Sequence, residues 1–311
     1  MPRIVISEFM DEGAVARLSG AAATLYDPTL VERPDALSAA LAGAEILIVR
    51  NRTQVTAGLL DAGPALRGVG RLGVGLDNID LPACRERGIA VWPATGANDL
   101  AVAEYVITTA MMLLRGAYLS SDGVSAGNWP RQQLIGGETS GRVMGLLGLG
   151  AIAREVALRA RALGMEVIAH DPHLGPDDPA WSLAGRSDLA GLLAGADVIS
   201  LHVPLTPETR HIIDEGALAR MRRGAVVINA ARGGVVDEAA LIAALERGHL
   251  GGAALDVFET EPLGPQEGAG FAHLRNVILT PHIAGVTAES NIRVSNVIAD
   301  IVLAHLGLEE G

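Results

Sequence analysis

The sequence predicts an α/β fold in which parallel β-sheets are covered by helices. Short apolar runs typical of buried strands alternate with helical patterns along the chain. Of the 311 residues 49% are hydrophobic, although only 3% are aromatic. Cores built mainly from alanine, valine, leucine and isoleucine suit strands that are buried on both faces. The length suits two domains.

The segment 143–171 carries the pattern that defines the second domain. An apolar strand-like run leads into the turn GLGAIA (148–153), and a helical pattern follows to Gly164. A second strand-like run, 165–169, precedes Asp171. Strand, glycine turn, helix, strand and acid in this order and spacing indicate a dinucleotide-binding βαβ unit, the core of a doubly wound parallel sheet.

The glycines and the acid of this unit have separate expected roles. Gly148 permits the tight turn, and Gly150 lets the backbone approach a pyrophosphate, which the N-terminal N–H groups of the following helix bind. Asp171 is placed to accept hydrogen bonds from ribose hydroxyls and would repel a 2′-phosphate, so NAD is favoured over NADP. A turn of the same composition that binds no nucleotide is the alternative interpretation.

The N-terminal third alternates in the same way but has no glycine pattern for phosphate. The segment 71–78, RLGVGLDN, is a loop at a strand end in which two glycines expose backbone N–H groups. It either binds a ligand or is a plain strand-to-helix turn. The strand-like runs of this part are 3–6, 45–49, 69–72 and 89–92, and helical patterns include 11–18 and 34–41.

The remaining chain predicts a long helix, a loop and more strands. The helical pattern Asp99–Arg115 is apolar on most sides, which suits a connector between two domains. A polar, glycine-rich loop is expected over 120–141, and a last helix over 287–308 should return to the first domain, with a cleft between the two halves. Further strand-like runs, at 197–203, 225–230, 253–258 and 277–280, bring the second sheet to six strands or more.

Composition excludes several classes of partner. The formal net charge of −12 argues against nucleic acids and anionic membranes, and no apolar run is long enough to span a bilayer. The N-terminal MPRIVISEFMDEG lacks the apolar region of a signal peptide. A single cysteine, Cys84, favours a reducing compartment. We therefore expect a cytoplasmic protein, and we assign no metal ligands.

Three strand-like runs in the second half each lead to an unusual polar residue. Arg232 follows VVINAA, Glu261 follows ALDVFET, and His282 follows VILTP. Because the carboxyl ends of parallel strands meet at one edge of a sheet, we expect these side chains to form one site. Taken singly, each has an ordinary alternative: a core or capping histidine, a surface arginine beside a glycine turn, and a loop acid.

Together the three residues suit an oxidoreductase that interconverts an alcohol and a carbonyl. A histidine can take and give the hydroxyl proton because it titrates near neutral pH, and a neighbouring carboxylate stabilises the imidazolium. An arginine binds a substrate carboxylate as a fork. The nicotinamide accepts or donates the hydride.

Seven segments spread along the chain resemble the signature blocks of the D-isomer-specific 2-hydroxyacid dehydrogenases, and the resemblance covers nearly the whole chain. That family includes phosphoglycerate dehydrogenase, glyoxylate/hydroxypyruvate reductase and D-lactate dehydrogenase. Ala153 stands at the third glycine position, a substitution that the pattern allows. The segments are RNRTQVT, GVGLDNIDLPA, GLLGLGAIAREVA, LHVPLTPETRHIID, INAARGGVVDEAALIAAL, ALDVFETEPL and LTPHIAGVT.

The resemblance implies a Rossmann coenzyme domain over 99–284 and a smaller flavodoxin-like substrate domain formed by both termini, 1–98 and 285–311. His282 would be the acid/base, Glu261 its partner and Arg232 the ligand of the substrate carboxylate. The backbone of Val74 and Gly75 would also hold that carboxylate. Asn51 is a further substrate-side candidate.

The resemblance also implies which residues hold NAD. Asp256 would contact the nicotinamide carboxamide, and Val203, Ala230 and Ala231 would line the cofactor by their backbone. A homodimer is expected, formed through the coenzyme domain around residues 99–141. The full set of expected cofactor residues is Gly148, Gly150, Ala151, Ile152, Asp171, Val203, Ala230, Ala231, Arg232, Asp256 and His282.

The sequence leaves the substrate open. The stretches VISEFMDEGAVARL, ATGANDLAVAEYV and GNWPRQ resemble the sulfolactate dehydrogenase branch, which would oxidise (S)-sulfolactate to sulfopyruvate. Phosphoglycerate-type, glyoxylate and hydroxypyruvate substrates remain alternatives, as does a non-catalytic NAD(H)-sensing binding protein of the same fold. A second cation for a dianionic substrate, if it is not simply a surface residue, could be Arg50, Arg52, Arg71 or Arg131.

Overall fold

The computed structural model of the protein describes residues 2–308, except for the side chain of Leu119. The described chain divides into two compact units. Unit 1 contains the residues up to Asn98 and those from Val286 onward, and unit 2 contains Asp99–Gly285. Each unit is built on one parallel sheet with helices on its faces.

Strands and helices alternate through both units. The strands are β1 (Ile4–Ile6), β2 (Thr24–Tyr26), β3 (Ile46–Val49), β4 (Gly68–Arg71), β5 (Ala90–Pro93), β6 (Val143–Leu147), β7 (Glu166–His170), β8 (Gly185–Arg186), β9 (Val198–Leu201), β10 (Val226–Asn229), β11 (Gly252–Leu255) and β12 (Val277–Leu279). The α-helices are α1 (Glu12–Ala21), α2 (Pro34–Leu41), α3 (Ala57–Asp61), α4 (Leu81–Glu86), α5 (Asp99–Arg115), α6 (Ser121–Ser125), α7 (Ala151–Ala162), α8 (Leu189–Gly195), α9 (Glu215–Arg220), α10 (Glu238–Glu246), α11 (Pro265–Ala269) and α12 (Ala288–Leu306). Short 3-10 helices lie at Leu30–Glu32, Ala117–Ser120 and Pro179–Ser182.

The sheet of unit 1 has five strands in the order β2-β1-β3-β4-β5, with all neighbours parallel. This is the flavodoxin-like order, and the predicted fold of this part is confirmed. The central strands β1 and β3 are unbroken apolar runs because every residue in them is buried. Alternate side chains enter two cores: Ile4 and Ile6 lie in one, and Val5 lies in the other.

The helix α12 returns the chain to unit 1 and closes the first of these cores. Ile298 is completely buried there, together with Ile4. A Cβ on Gly70 of β4 would lie 2.7 Å from Cγ2 of Ile298, so the glycine lets the helix approach the sheet closely. A reciprocal capping box between Thr287 and Ser290 starts the helix.

The sheet of unit 2 has seven strands in the order β12-β11-β10-β9-β6-β7-β8, again all parallel. The predicted doubly wound sheet of six or more strands is confirmed. The strand order reverses between β6 and β9, which makes this point the topological switch of the sheet. In such sheets ligands bind at the carboxyl ends of the strands beside the switch.

The long helix α5 is the first element of unit 2. Its buried side chains, among them Val102 and Val106, lie in one core with Val156 and Ala160 of α7. This packing explains the apolar character that the sequence shows on most sides of the helix. Like the other helices within residues 2–308, α5 is not long and apolar enough to cross a membrane.

The structure differs from the sequence prediction mainly at sheet edges and in one loop. The sequence does not predict β2 or β8, because these edge strands have only three and two residues and none of them is fully buried. The prediction of a loop over 120–141 is wrong at its start, because Ser121–Ser125 forms α6. Several strands also end earlier than expected. Thus β11 ends at Leu255, and Asp256 lies beyond it.

Replacing Ile298 by alanine should lower the free energy of unfolding by about 2–5 kcal/mol, because the cavity between α12 and the sheet would be only partly refilled. Ile292 lies on the same helix with 48% of its surface exposed. Ile292→Ala is therefore the matched control, with an expected change of less than about 0.5 kcal/mol. Urea denaturation followed by circular dichroism measures both variants. Equal losses would contradict this packing of α12.

Candidate active site

The turn after β6 has a backbone conformation that requires glycine. Gly148 has a φ of +89°, and a Cβ at this position would lie 2.6 Å from the carbonyl oxygen of His202. The N–H of Gly148 donates to the carbonyl of His170, at the end of β7, over 2.8 Å. The turn is therefore fixed between the ends of two neighbouring strands, and any side chain at position 148 would strain it.

The N-terminus of α7 is open. Gly150 caps it without a side-chain hydrogen bond, and a Cβ on Gly150 would have no atom within 4 Å. The first N–H groups of a helix have no partner inside the helix, so those around Ala151 and Ile152 are available to an anion. Ala153 faces the other way and is completely buried in the core with α5. A small residue suffices there, which accounts for alanine at the third glycine position.

Asp171 follows β7 directly and faces the glycine turn. Its Oδ2 accepts a hydrogen bond from the N–H of Leu149 over 2.9 Å, and its Oδ1 accepts one from the N–H of His173 over 2.9 Å. The carboxylate is thus held beside the open end of α7. A glycine turn without side chains, free helix N–H groups and a fixed acid together fit the pyrophosphate and ribose of a dinucleotide.

His202 also lies at this turn, although the sequence pattern does not predict a role for it. It follows β9, its N–H donates to the carbonyl of Leu147 over 2.8 Å, and its Nε2 lies 2.9 Å from the Ser200 hydroxyl. Burial lowers the pKa of His202 to about 4, so the imidazole is neutral at neutral pH. The signal in the sequence was a histidine directly after a buried strand, in LHVP.

The other expected cofactor residues lie at the carboxyl ends of the neighbouring strands. Val203 follows β9, and its Cγ1 would lie 3.2 Å from a Cβ on Gly148. Ala230 and Ala231 follow β10 and are half-buried. Because β10, β9 and β6 are adjacent, these residues share one edge of the sheet with the glycine turn.

Glu261 and His282 form a hydrogen-bonded pair. Glu261 Oε2 lies 2.7 Å from Nδ1 of His282, and its Oε1 accepts the N–H of Phe258 over 3.0 Å. Burial acts to raise the pKa of the Glu261 carboxyl. The hydrogen bonds from His282 and Phe258, with the charges of His282 and Arg232, nevertheless hold it below its ordinary value. Glu261 is therefore a carboxylate that fixes Nδ1 and leaves Nε2 to exchange a proton.

Arg232 completes the set, since its charge is close enough to lower the pKa of Glu261. Asn229 orders the loop that carries it, because Nδ2 donates to the Arg232 carbonyl over 2.9 Å and Oδ1 accepts the Ala231 N–H over 3.1 Å. A Cβ on Gly233 would collide with the Phe258 carbonyl oxygen, so this loop lies directly against the chain leading to Glu261. The structure thus brings the three residues together within unit 2.

Asp256 is almost completely buried, with 1% of its surface exposed. Its Oδ1 accepts the N–H of Ile283 over 2.8 Å, and its Oδ2 accepts the N–H of Ala284 over 2.7 Å. The carboxylate therefore holds the loop that carries His282. The expected contact of Asp256 with a nicotinamide carboxamide stays a prediction.

The expected substrate residues of the N-terminal third lie at the carboxyl edge of the unit 1 sheet. Asn51 is exposed in the loop after β3. Val74 and Gly75 follow β4, and 38% of the Val74 surface is exposed. Their loop bends at Gly73, which has a φ of +149°. Their contribution to substrate binding also stays a prediction.

A parallel sheet with a glycine turn and an acid at its switch point, and with a histidine–carboxylate pair and an arginine at the same edge, is the framework of a nicotinamide-dependent dehydrogenase. The family profile described as the NAD-binding domain of D-isomer-specific 2-hydroxyacid dehydrogenases matches residues 107–284. The chain belongs to this family.

Individual relatives agree with this assignment. The (S)-sulfolactate dehydrogenase of Chromohalobacter salexigens is 55% identical over 309 residues, 99% of both chains. The D-3-phosphoglycerate dehydrogenase of Archaeoglobus fulgidus is 42% identical over 265 residues, which are 85% of this chain and 50% of that protein. The crystal structure of D-lactate dehydrogenase from Aquifex aeolicus with NAD and lactic acid superimposes with a TM-score of 0.84 at 30% identity, covering 98% of this chain and 95% of that one.

The predicted family and the predicted cofactor, NAD, are confirmed by these comparisons. The prediction of an NAD-dependent 2-hydroxyacid dehydrogenase is confirmed as well.

The neutral state of His202 predicts a pH dependence of stability. Its pKa falls from the ordinary 6.5 to about 4 on folding, so protons bind preferentially to the unfolded chain between these values. This contribution to stability is complete above pH 6.5 and is lost as the pH falls to about 4. Urea denaturation of the protein without NAD should therefore depend less steeply on pH in His202→Gln than in the wild type.

His273 is the control, because it is an exposed histidine paired with Glu246. His273→Gln should keep the steep wild-type dependence. An unchanged slope in His202→Gln would contradict the neutral state of His202.

Proposed function

We propose that the enzyme oxidises a dianionic 2-hydroxy acid with NAD⁺ and that the substrate is (S)-sulfolactate, which yields sulfopyruvate. A relative with that activity in its name is 55% identical over nearly the full length of both chains, and this observation carries the proposal. A phosphoglycerate-type substrate, also an acid with a second anionic group, is the second candidate because of the relative at 42% identity. Glyoxylate and hydroxypyruvate offer no second anionic group.

His282 acts as the acid/base in this proposal. In the oxidation, Nε2 accepts the proton of the C2 hydroxyl while the C2 hydrogen leaves with its electron pair, and the C2–O bond becomes a carbonyl. NAD, when bound, supplies the hydride acceptor. The carboxylate of Glu261 at Nδ1 stabilises the resulting imidazolium and keeps the ring oriented. In the reverse direction the same nitrogen returns the proton.

Arg232 binds the C1 carboxylate of the substrate as a fork and polarises the C2 oxygen. The hydrogen bonds of Asn229 and the close approach at Gly233 support this role, because they fix the loop that carries the guanidinium. Its Nη1 donates to the Ala231 carbonyl over 2.5 Å. The backbone N–H groups of Val74 and Gly75 are proposed as further carboxylate ligands. Asn51 is proposed as a polar contact of the substrate.

The proposed cofactor contacts follow the edge of the unit 2 sheet. The N–H groups at the start of α7 bind the pyrophosphate, and Asp171 binds the ribose hydroxyls and disfavours NADP. Asp256 Oδ2 is proposed to accept a hydrogen bond from the carboxamide. The remaining contacts are made by Gly148, Gly150, Ala151, Ile152, Val203, Ala230, Ala231, Arg232 and His282.

Arg50 is the cation that best suits the second acidic group. Its guanidinium lies 5.9 Å from the ring centroid of Phe9 and donates to Asn291 Oδ1 over 2.7 Å. Burial lowers the pKa of Arg50. The buried carboxylate of Glu8 fixes the loop by accepting the N–H groups of Arg50 and Thr53 over 2.8 and 2.9 Å. A cation that is held in place and partly desolvated gains more from an anion than one in water.

The other three candidate arginines are less suited. Arg52 is exposed and pairs with Glu32 over 3.2 Å. Arg71 folds back, so that Nη1 donates to the Leu72 carbonyl over 2.7 Å. Arg131 is exposed in unit 2. None of these observations indicates a cation fixed for a ligand.

A homodimer in the cytoplasm is also proposed. Large apolar side chains are exposed close together in the sequence of unit 2: Tyr118, Trp129 and Ile135 have 62%, 75% and 75% of their surfaces accessible. Exposed aromatic and aliphatic groups of this kind are typical of protein interfaces, and a second copy is the proposed occupant. Cys84, the single cysteine, is buried as a free thiol, which suits a reducing compartment.

Turnover tests the proposed substrate directly. NAD⁺ reduction should be fastest with (S)-sulfolactate in a panel that contains both stereoisomers of sulfolactate, 3-phosphoglycerate, glycerate, malate and lactate. His282→Asn should lower kcat about a hundredfold or more and should lower the affinity for NADH far less, whereas His273→Asn should match the wild type. Faster turnover of 3-phosphoglycerate would contradict the proposed substrate, and full turnover by His282→Asn would contradict the role of the histidine.

The role of Arg50 is tested by substrates with and without the second acid. Arg50→Gln should lower kcat/KM for (S)-sulfolactate about 10- to 100-fold, the usual loss for a hydrogen bond to a charged group. The value for D-lactate, which lacks the sulfonate, should change much less. Arg52→Gln is the matched control. A larger selective loss in Arg52→Gln would transfer the role to Arg52.

A further inference from the structure

The loop that carries His282 is held by one residue through three successive N–H groups. The N–H of His282 donates to the backbone carbonyl of Asp256 over 2.8 Å, and those of Ile283 and Ala284 donate to its carboxylate. His282 itself has a φ of +56°, a left-handed conformation that is uncommon for a residue with a side chain. The position of the imidazole therefore depends on the position of the Asp256 carboxylate.

A second hydrogen-bond chain reaches the same carboxylate. The hydroxyl of Thr280 donates to Asp256 Oδ1 over 2.6 Å, and the hydroxyl of Tyr105 lies 2.7 Å from that Thr280 oxygen. A hydroxyl has one proton, and that of Thr280 is used on the carboxylate. Tyr105 must therefore be the donor to Thr280, so the chain runs in one direction, from Tyr105 through Thr280 to Asp256.

Tyr105 is a fixed and permanent donor. It lies on α5, and its helix neighbours Ala103 and Val106 are completely buried in the core of unit 2. Burial raises the pKa of Tyr105 to about 12, so the phenol keeps its proton at neutral pH. The direction of the hydrogen-bond chain is thus the same across the pH range in which a histidine titrates.

We propose that Tyr105 and Thr280 are positioning residues for His282, acting through Asp256. Without the Tyr105 hydroxyl, the Thr280 hydroxyl is free to rotate away from Asp256. The carboxylate then loses one donor, and the loop at His282 departs more often from the geometry in which Nδ1 meets Glu261. A small displacement of an acid/base group lowers the rate steeply. This inference rests on the acid/base role proposed for His282.

The test measures kcat and KM in variants that remove each hydroxyl. Tyr105→Phe should lower kcat about three- to tenfold, as expected for one neutral hydrogen bond. Thr280→Val removes the bond to the carboxylate and should lower kcat about 10- to 100-fold. In both variants KM for NAD⁺ should change less than kcat, because Asp256 keeps its carboxylate. Thr280→Ser should restore kcat because it keeps the hydroxyl.

Two controls separate this role from a general loss of stability. Thr109→Val removes a hydroxyl from the same helix, where it donates to the carbonyls of Tyr105 and Val106. Tyr26→Phe removes a phenol hydroxyl, which donates to the Met10 carbonyl in unit 1. Both should keep the wild-type kcat per folded molecule, with the folded fraction taken from circular dichroism at the assay temperature.

The decisive comparison is made in the His282→Asn background. If Tyr105 and Thr280 act through the imidazole, Tyr105→Phe and Thr280→Val should lower the residual turnover of His282→Asn no further. Additional losses in that background, or wild-type kcat in the single variants, would overturn the inference. Full turnover by His282→Asn alone would instead contradict the proposed function, so the two failures are distinguishable.

Discussion

The carboxylate of Asp256 is the contact on which the active-site region of unit 2 depends. A buried charge is stable only when its oxygens accept hydrogen bonds, and Asp256 obtains these from the loop that follows β12. The same bonds hold the loop in which His282 has its left-handed backbone conformation, and Nδ1 of this histidine lies 2.7 Å from Glu261 Oε2. One buried acid beyond a strand end thus links the sheet to the histidine that is proposed to transfer the proton.

Acids that hold a neighbouring loop in this way occur in both units. Asp171, beyond β7, holds Leu149 beyond the neighbouring β6. Glu8, beyond β1, holds the loop that follows the neighbouring β3. In each case an acid after one parallel strand accepts N–H groups of the loop after the next, where the sheet itself supplies no partner. The loops that carry the proposed binding residues are therefore ordered by their neighbours, not by their own sequence.

The sequence predicts those parts of the molecule in which a single physical requirement restricts the residue types that a position can hold. The glycine turn, the buried central strands and the family of the chain are of this kind, since a positive φ at Gly148 or full burial of β3 restricts the residue directly. Edge strands such as β8 carry no such signal. The links among Tyr105, Thr280 and Asp256 join residues far apart in the chain, and the sequence showed only an apolar helix and a TPH motif. His202 was missed for the same reason, because its neutral state results from tertiary burial.

The bonds of Asp171 have a consequence for attempts to change the cofactor. This acid is expected to discriminate against a 2′-phosphate, but it also accepts the N–H groups of Leu149 and His173. A substitution of Asp171 that allows NADP to bind also removes the hydrogen-bond acceptor of the turn that shapes the nucleotide pocket. Cofactor preference and local order are therefore coupled, and a redesigned enzyme would need a second substitution that restores a partner for the Leu149 N–H.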